Sequence, residues 1–401
     1  MCPDGIVLNS VVCPPEMSLT PPVLPLQRLP LLVIAALVSV LTVAAAAHGW
    51  RLAALAMIGL LLGASLFHAS FGFASGYRRL LVHGDGRGVL AQLFLLLLLT
   101  LLFTPIVLSG AARGSVAPVA LQAAIGATLF GVGMQLGSGC ACGTLYAIGG
   151  GSGVMLFTLA SFSAGSFLAT LTPGPWRALP RLEPISLVER WGWRGAFLQL
   201  LVLGLLALLL WRQQRHRLEN RCDHHRHRPT WSTLLAGPWS LAGGVLALAL
   251  LSALTLVLAG RPWGVTWGFT LWAAKLAHLL GWDPSGSMIW SQGRFAEALR
   301  AGLFEDITSV MNFGIVLGAA AAAAAAGRLG FRSPPSAASV GAALLGGLLM
   351  GYGAWLSFGC NVGAYLAGIA STSLHGWLWI GFALLGTMIG VRLRPRFGLL
   401  N

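Results

Sequence analysis

The chain has 401 residues, of which 56% are hydrophobic and only 9% are charged, and it carries a formal net charge of +14 at pH 7. A soluble core cannot bury that much apolar surface, so the composition excludes a soluble globular protein and favours an all-α, polytopic helical membrane protein. Because few residues carry the positive charge, we expect it in loops, where it orients helices in the lipid bilayer, and we expect no nucleic acid partner.

A series of apolar runs follows, each close to the roughly 20 residues that a helix needs to cross a bilayer. We keep the first run as a helix rather than a cleaved signal peptide, because the N-terminal leader at 1–29 holds only Arg28 as a base. The runs predict about 9–11 transmembrane helices, near 30–47, 52–69, 88–109, 116–134, 153–172, 194–211, 235–260, 264–280, 303–326, 336–358 and 376–391.

Basic residues cluster in four of the segments between these runs. The clusters are Arg78, Arg79 and Arg87; Arg212 to Arg228; Arg328 and Arg332; and Arg392, Arg394 and Arg396. Arginine and lysine accumulate in short loops on the cytoplasmic side of the membrane. We therefore expect all four clusters in the cytoplasm and the protein in the inner (plasma) membrane. The number of crossings then requires 264–280 to be re-entrant, which its modest length, its glycines, Lys275 and His278 permit.

This orientation divides the chain into a first transmembrane half at 30–211, a basic cytoplasmic loop at 212–230 and a second transmembrane half at 231–401. Run 116–134 travels inward, whereas run 336–358 travels outward. The two halves therefore have opposite topology, which predicts two inverted repeats with re-entrant half-helices around a central pathway.

Each half contains the same cysteine-centred phrase, G-x-G-x-x-L-x-x-G-C-x-x-G. A thiol flanked by glycines is an unusual choice for lipid-facing surface, so the repeat predicts a paired site within the membrane. The two copies read Gly131-Val-Gly-Met-Gln-Leu-Gly-Ser-Gly-Cys140-Ala-Cys-Gly143 and Gly351-Tyr-Gly-Ala-Trp-Leu-Ser-Phe-Gly-Cys360-Asn-Val-Gly363.

Glycines in the phrase let backbones approach closely and break the helix where it must turn. If Cys140 and Cys360 lie at the first turn of a half-helix, free amide groups and weak S–H donors give partial positive charge without a full cation. Such contacts suit an anion that must bind and leave again. The predicted pathway residues are Cys140, Cys360, Cys142, Gly139, Gly143, Gly359, Gly363, Asn361 and Gln135; packing is the alternative role for Cys142 and Gln135.

Other polar residues have simpler explanations. Glu305 and Asp306 are expected to cap a helix, and Lys275 to extend toward the surface. The cluster from Cys222 to His227 is interpreted as an orientation signal rather than a metal site, because neighbouring arginines weaken cation binding. We therefore expect no metal, no cofactor and no catalytic residue.

The chain resembles the YeeE/YedE family of sulfur transporters. The resemblance rests on both cysteine phrases, on Phe71-Gly-Phe-Ala-Ser-Gly-Tyr-Arg-Arg79, on Gly84-Asp-Gly-Arg-Gly88 and on Pro262-Trp-Gly-Val-Thr-Trp-Gly268, and it spans roughly 52–396. It implies inner-membrane uptake of a small sulfur-containing anion, with thiosulfate first, through a line of cysteines. It also implies a cytoplasmic sulfur-carrier protein of the TusA type as partner. Many members carry a cysteine where this chain has Gly72.

Three alternatives stay open. The first is a permease for another small anion, such as a selenium or sulfur oxyanion. The second is a membrane thiol/disulfide oxidoreductase in which Cys140 and Cys360 alternate between dithiol and disulfide; against it, no basic residue adjoins either phrase in the sequence. The third is a structural subunit whose repeats only pack helices tightly.

Overall fold

The computed structural model describes residues 26–219, 236–330 and 335–400. The helices of the first half are α1 (Arg28–Ala46), α2 (Trp50–His68), α3 (Phe73–His83), α4 (Arg87–Leu108), α5 (Leu121–Leu136), α6 (Ala141–Gly149), α7 (Val154–Leu171), α8 (Pro173–Arg177), α9 (Leu187–Trp191) and α10 (Trp193–Glu219). Those of the second half are α11 (Leu241–Ala259), α12 (Thr266–Leu279), α13 (Gly293–Arg300), α14 (Ile307–Ala325), α15 (Ala337–Leu356), α16 (Ala367–Ala370) and α17 (Leu374–Leu393). A π-helical turn covers Asn361–Leu366, and 3₁₀ turns cover Pro284–Gly286 and Arg394–Phe397. Strands β1 (Val119–Ala120) and β2 (Arg181–Leu182) pair antiparallel.

Within the described ranges, ten helical segments are long and apolar enough to cross a membrane. Helices satisfy their own backbone hydrogen bonds, which a bilayer core demands of any chain that crosses it. The predicted all-α polytopic membrane protein is thus confirmed. Helix α12, with 14 residues, is not one of the ten segments, which agrees with the re-entrant segment expected at 264–280.

Four shorter helical segments each follow a long helix after a break in the backbone. They are α3, α6, α12 and the stretch from the π-helical turn through α16. Three of the breaks contain a non-glycine residue with positive φ: Ser70 at 47°, Ser138 at 58° and Phe358 at 61°. Such residues are uncommon, and surrounding structure must hold them in place. The breaks correspond to the half-helices that the sequence predicts.

Helices α5 and α15 pack directly against each other. A Cβ atom added to Gly126 would lie 2.6 Å from the carbonyl oxygen of Gly353, and one added to Gly133 would lie 2.5 Å from that of Gly346. Side chains at these positions would force the helices apart, so the glycines are required for the close approach. Because Gly126 precedes Gly133 while its partner follows Gly346, the two helices run antiparallel.

The same four glycines reveal a two-fold relationship. Gly133 and Gly353 hold the same place in the two cysteine phrases, and Gly126 and Gly346 stand seven residues before them. Interchanging the two halves of the chain therefore converts the contact of Gly126 with Gly353 into the contact of Gly346 with Gly133. Other packing pairs exchange likewise: α7 packs on α15 as α17 packs on α5, and α2 packs on α14 as α11 packs on α4. This arrangement agrees with the predicted inverted repeats.

One predicted boundary differs from the structure, and parts of two predicted segments lie outside the described residues. Helix α10 continues to Glu219, so the first part of the basic segment predicted at 212–230 is helical rather than loop. Residues 220–235, which include the cluster from Cys222 to His227, lie outside the described residues, as do residues 1–25 of the predicted leader.

Candidate functional site

Cys140 and Cys360 each stand immediately before a short helical segment. Cys140 is the N-cap of α6, and Cys360 is the N-cap of the π-helical turn. Both have extended backbone conformations, and both thiols are buried, with exposed fractions of 2% and 1%. They belong to one core cluster. The structure thus places each cysteine at the first turn of a half-helix, where the sequence analysis expects it.

Backbone amides surround both sulfurs in the same way. The amides of Cys142 and Gly143 lie beside the Cys140 sulfur, and those of Val362 and Gly363 lie beside the Cys360 sulfur. The first N–H groups of a helix have no partner within the helix and carry partial positive charge. An anion that reaches either thiol therefore meets amide donors as well as an S–H group.

Cys142, two residues after Cys140 in the chain, lies next to it in space. Their Sγ atoms are 3.3 Å apart, and Cys142 is buried. On a regular helix this spacing would direct the two side chains to different faces. Here Cys140 is extended while Cys142 is already helical, so the change of backbone conformation brings the sulfurs together.

Unpaired polar atoms collect around the cysteines. Among the described residues, both amide atoms of Asn361 and the hydroxyl of Tyr77 are buried without a hydrogen bond. Tyr77 neighbours Cys140, Asn361 and Tyr365. The Gln92 amide is also buried and unpaired, and it lies beside Gly76, the residue before Tyr77. Buried polar groups nearly always have partners, so a cluster that lacks them indicates a place for water or a polar ligand.

The glycines of the two phrases serve different purposes. A Cβ atom at Gly143 would lie 3.4 Å from the Cys140 sulfur, so this glycine keeps space beside the thiol. Gly359 has φ of 148°, and a Cβ atom there would lie 2.8 Å from the amide of Ala364. Gly139 has only ordinary contacts, and Gly363 faces open space. Among these four glycines, Gly359 therefore excludes a side chain most strongly, through both its conformation and the lack of space.

Gln135 connects the first cysteine phrase to two arginines. Its side chain donates to the carbonyl oxygen of Ala74 at 3.0 Å and accepts from Arg78 at 3.4 Å. Arg394, which is only 5% exposed, donates to the backbone carbonyl oxygen of Gln135 and to the hydroxyl of Ser138. Two positive charges thus lie close to the phrase that contains Cys140, although no basic residue adjoins that phrase in sequence.

The site also includes position 72, where the resemblance implies a cysteine and this chain has Gly72. A Cβ atom at Gly72 would lie 3.7 Å from the hydroxyl of Tyr146, and the side chain of Ser75 would have to turn aside. Tyr146 in turn neighbours Cys140 and Cys142. A side chain at position 72 would therefore point toward the cysteine cluster.

A cavity of about 690 Å³ opens at the other end of α5, and we call it the vestibule. Gln122 in the first turn of α5 lines it, whereas Gln135 in the last turn contacts Arg78 and Arg394. Arg78 and Arg394 therefore lie at one end of this helix and the vestibule at the other. Phe358 and Gly359, which immediately precede Cys360, also line the vestibule.

The Gly84–Gly88 segment of the resemblance has a structural role. Arg87 donates to Asp85 at 2.9 and 2.7 Å, and this hydrogen bonding lowers the pKa of Asp85 to about 2. Gln214 of α10 accepts from the amide of Gly86 and donates to the carbonyl oxygen of Gly84. The segment thus fastens the turn between α3 and α4 to α10.

Residues with simpler explanations behave largely as expected. Asp306 is the N-cap of α14 and accepts from the amide of Ser309 at 2.7 Å. Glu305 accepts from the amide of Gly302. Lys275 donates to the carbonyl oxygens of Leu299 and Ala301, so it closes the end of α13 rather than extending freely to the surface.

A family model described as sulphur transport matches residues 68–389. The chain belongs to this sulphur transport family. The match covers both cysteine phrases, Tyr77 and all the residues that line the vestibule. Membership agrees with the resemblance that the sequence motifs indicate.

Curated relatives support the same assignment. The thiosulfate transporter TsuA of Spirochaeta thermophila is 28% identical over 344 residues, which are 82% of this chain and 95% of that protein. The probable transporter YedE of Escherichia coli K12 is 33% identical over 154 residues, which are 38% of this chain and 37% of that protein. YedE of Salmonella typhimurium is 33% identical over 162 residues, 40% of this chain and 38% of that protein. The chain thus aligns with little more than a third of either YedE.

Sequence analysis did not identify Tyr77, Gln92 or Arg394 as site residues. Tyr77 and Arg394 lie in segments that were considered as part of a family motif and of a basic cluster. Only the packing of distant helices brings Tyr77 beside Cys140 and Arg394 to Ser138. Gln92 is a polar residue within an apolar run, and this feature of the sequence could have marked it as a candidate site residue.

Proposed function

We propose that this protein transports thiosulfate across the membrane through contacts at Cys140 and Cys360. The observation that carries the proposal is the pair of buried thiols at helix N-caps, beside the unpaired polar atoms of Tyr77 and Asn361. Membership of the sulphur transport family and the printed function of TsuA support thiosulfate as the substrate.

The contacts available to the anion are all weak hydrogen bonds. Thiol S–H groups, the Asn361 amide and the Tyr77 hydroxyl can donate, and the first amides of each half-helix lie nearby. None of these groups carries a full charge. A divalent anion therefore binds tightly enough to give up its hydration but weakly enough to be released, as a transport pathway requires. No bond forms or breaks in this mechanism.

The orientation belongs to the same proposal. The ends carrying Arg78, Arg79, Arg392 and Arg394 face the cytoplasm of a cell whose inner membrane holds the protein, and the vestibule faces outward. Thiosulfate then moves from the vestibule past Cys360 and Cys140 to the arginine-rich end. A soluble sulfur-carrier protein of the TusA type would be the partner at that end, as the resemblance implies.

Reconstituted vesicles test the proposal. Wild-type protein is expected to take up ³⁵S-labelled thiosulfate without any redox partner. The variants Cys140→Ala and Cys360→Ala are each expected to lose most or all of this uptake. The control variant Ser39→Ala alters a side chain that bonds only its own helix on the exposed α1. If both cysteine variants transport like this control, the thiols do not form the pathway.

The 3.3 Å separation of Cys140 and Cys142 supports a second candidate, a thiol/disulfide oxidoreductase. Trapping with a thiol alkylator after treatment with a quinone oxidant distinguishes the two. A reversible disulfide that forms during turnover, together with absence of thiosulfate uptake, favours the oxidoreductase. Competition by selenium and sulfur oxyanions in the same vesicles separates thiosulfate uptake from a general anion permease.

A further inference from the structure

Arg394 is a buried positive charge at the arginine-rich end of α5. It begins the 3₁₀ turn that follows α17, and its side chain is only 5% exposed. Arg78 is near enough to interact with it electrostatically. The one salt bridge between residues that the structure describes joins Arg87 and Asp85. Within the described part of the chain, neutral groups therefore satisfy the guanidinium of Arg394.

One side of this guanidinium fastens the break that precedes Cys140. Arg394 donates to the carbonyl oxygen of Gln135, in the last turn of α5, and to the hydroxyl of Ser138 at 3.3 Å. The last carbonyl groups of a helix have no partner within it and favour a nearby cation. Ser138 has φ of 58°, a conformation that only its surroundings can maintain. Arg394 thus helps to hold the backbone that places Cys140.

The other side of the guanidinium binds a single backbone oxygen. The Nε and Nη2 atoms of Arg394 both donate to the carbonyl oxygen of Leu400. These two N–H groups form the planar fork with which arginine binds the paired oxygens of oxyanions. Hydrogen bonds to an ionised acceptor are roughly twice as strong as those to a neutral one. An oxyanion that reaches Arg394 can therefore displace the carbonyl group.

The segment 398–400, which we call the latch, is held by few contacts. Gly398 turns the chain with φ of 66°. The amide of Gly398 donates to the carbonyl oxygen of Pro395 at 3.0 Å, and that of Leu399 donates to the carbonyl oxygen of Arg394 at 3.2 Å. The side chain of Leu400 is 89% exposed, so its burial does not hold the latch in place. Such a segment opens locally at low free energy.

The break before Cys360 is fastened in a different way. The indole of Trp379 donates to the hydroxyl of Ser357 at 3.0 Å and to the carbonyl oxygen of Gly359 at 3.2 Å. Trp379 is completely buried and carries no charge. An anion has no fork to bind at this break. The use of a charged, replaceable fastening is thus a property of the break before Cys140.

We propose that Arg394 and Arg78 form an oxyanion site at the arginine-rich end, and that the latch closes this site until an anion displaces it. When the anion takes the fork of Arg394, the latch moves away and the hold on Ser138 weakens. The half-helix that begins after Cys140 is then free to shift and release the anion. Arg394 and the latch lie beyond residues 68–389, so the family match does not account for them.

This inference rests on the proposed function, because the anion arrives from the cysteines, but hydrogen–deuterium exchange tests it without transport. In purified full-length protein, sulfate or thiosulfate is expected to speed exchange of the Gly398 and Leu399 amides by ~3-fold or more. Chloride at the same ionic strength should have no effect. In Arg394→Gln, both amides should exchange fast with or without anion. Equal or slower exchange in the presence of sulfate overturns the site.

Arg78→Gln tests the second arginine in the same experiment. The latch itself stays bound to Arg394, so exchange without sulfate should remain as slow as in wild type. The sulfate concentration that gives half of the maximal effect should rise by ~3- to 10-fold, because the anion loses one charged partner. An unchanged sulfate dependence would remove Arg78 from the site. These results do not depend on whether wild-type vesicles transport thiosulfate.

Uptake by Gly398 variants tests the role of the latch in release. A Cβ atom at Gly398 would contact nothing within 4 Å, so Gly398→Val strains the turn without touching a neighbour. We expect Gly398→Val to raise the rate at saturating thiosulfate by ~2- to 5-fold, because the latch opens more readily. Gly398→Asn is the matched control, since asparagine accepts the left-handed conformation, and it should transport like wild type. Fast exchange in Gly398→Val together with an unchanged rate would show that the latch does not control release.

Discussion

The sulfur of Cys142 lies 3.3 Å from that of Cys140, although a single residue separates them in the chain. One thiol therefore serves as hydrogen-bond partner of the other, and an anion that displaces this contact finds an S–H donor already oriented. We predict that Cys142→Ala lowers thiosulfate uptake by ~2- to 10-fold, the value of one neutral hydrogen bond.

Cys142→Ser provides the comparison for this prediction. A hydroxyl keeps the hydrogen bond to Cys140, so uptake by Cys142→Ser should stay closer to wild type than that of Cys142→Ala. Initial rates in vesicles measure the difference. If Cys142→Ala abolishes uptake as fully as Cys140→Ala does, Cys142 acts as a pathway thiol in its own right rather than as a support for its neighbour.

A thiol at position 72 is predicted to increase uptake. Gly72→Cys places its side chain near Tyr146, beside the existing cysteines, at the cost of turning Ser75. The resemblance implies that relatives use such a thiol, and the structure offers it the necessary space. We expect faster uptake of thiosulfate at limiting concentration, measured in the same vesicles as wild type. Gly72→Ala, which adds the Cβ atom without sulfur, should show no gain, and a gain in both variants would point to packing instead.

The repeated phrase allowed much of the fold to be predicted from sequence. Periodic apolar runs gave the membrane helices, and the glycines of both phrases gave the breaks before Cys140 and Cys360. The antiparallel packing of α5 and α15 could be anticipated because charge in the loops fixes the direction of each crossing. These features depend on residues that are neighbours in the chain.

The remaining features depend on distant residues. Arg394 was interpreted only as part of a cytoplasmic cluster, yet it reaches Ser138 because α17 packs on α5. Arg261 follows α11 and Arg294 lies in α13, and only the fold brings both to the vestibule. Spacing along the sequence carries no information about such encounters, so the charged parts of the site required the structure.

Asn361 is predicted to contribute to transport at the expense of stability. Both of its amide atoms are buried without partners, which costs roughly 1–3 kcal/mol for each unsatisfied group. Asn361→Leu removes that cost, so thermal unfolding in detergent should occur at the same or a higher temperature. Thiosulfate uptake should nevertheless fall by ~10-fold or more, because the pathway loses a donor. A variant that unfolds earlier and transports normally would show that Asn361 is structural.

Glycine packing between α5 and α15 is predicted to be essential for stability. A Cβ atom at Gly346 would lie 2.7 Å from the carbonyl oxygen of Gly133, too close for the helices to remain in place. We expect Gly346→Ala to lower the free energy of unfolding by ~1–3 kcal/mol. Gly341→Ala lies on the same helix with open space around it, so it should have no destabilising effect. Thermal unfolding followed by fluorescence compares the two, and equal destabilisation would mean that the contact is not close in the folded protein.

Arginines lie near both ends of α5, so the charge around this helix alone does not orient the protein in the membrane. The predicted orientation rests instead on the basic residues that follow α10, α14 and α17 in the sequence. We predict that green fluorescent protein fused after Asn401 fluoresces, because the proposed orientation places that end in the cytoplasm. Alkaline phosphatase inserted at Glu183, between β2 and α9, should be active because the same orientation places this loop outside. Each reporter at the other position is the control and should be silent. The opposite pattern would reverse the direction assigned to the pathway. Thiosulfate would then meet Arg394 first, Cys140 next and the vestibule last.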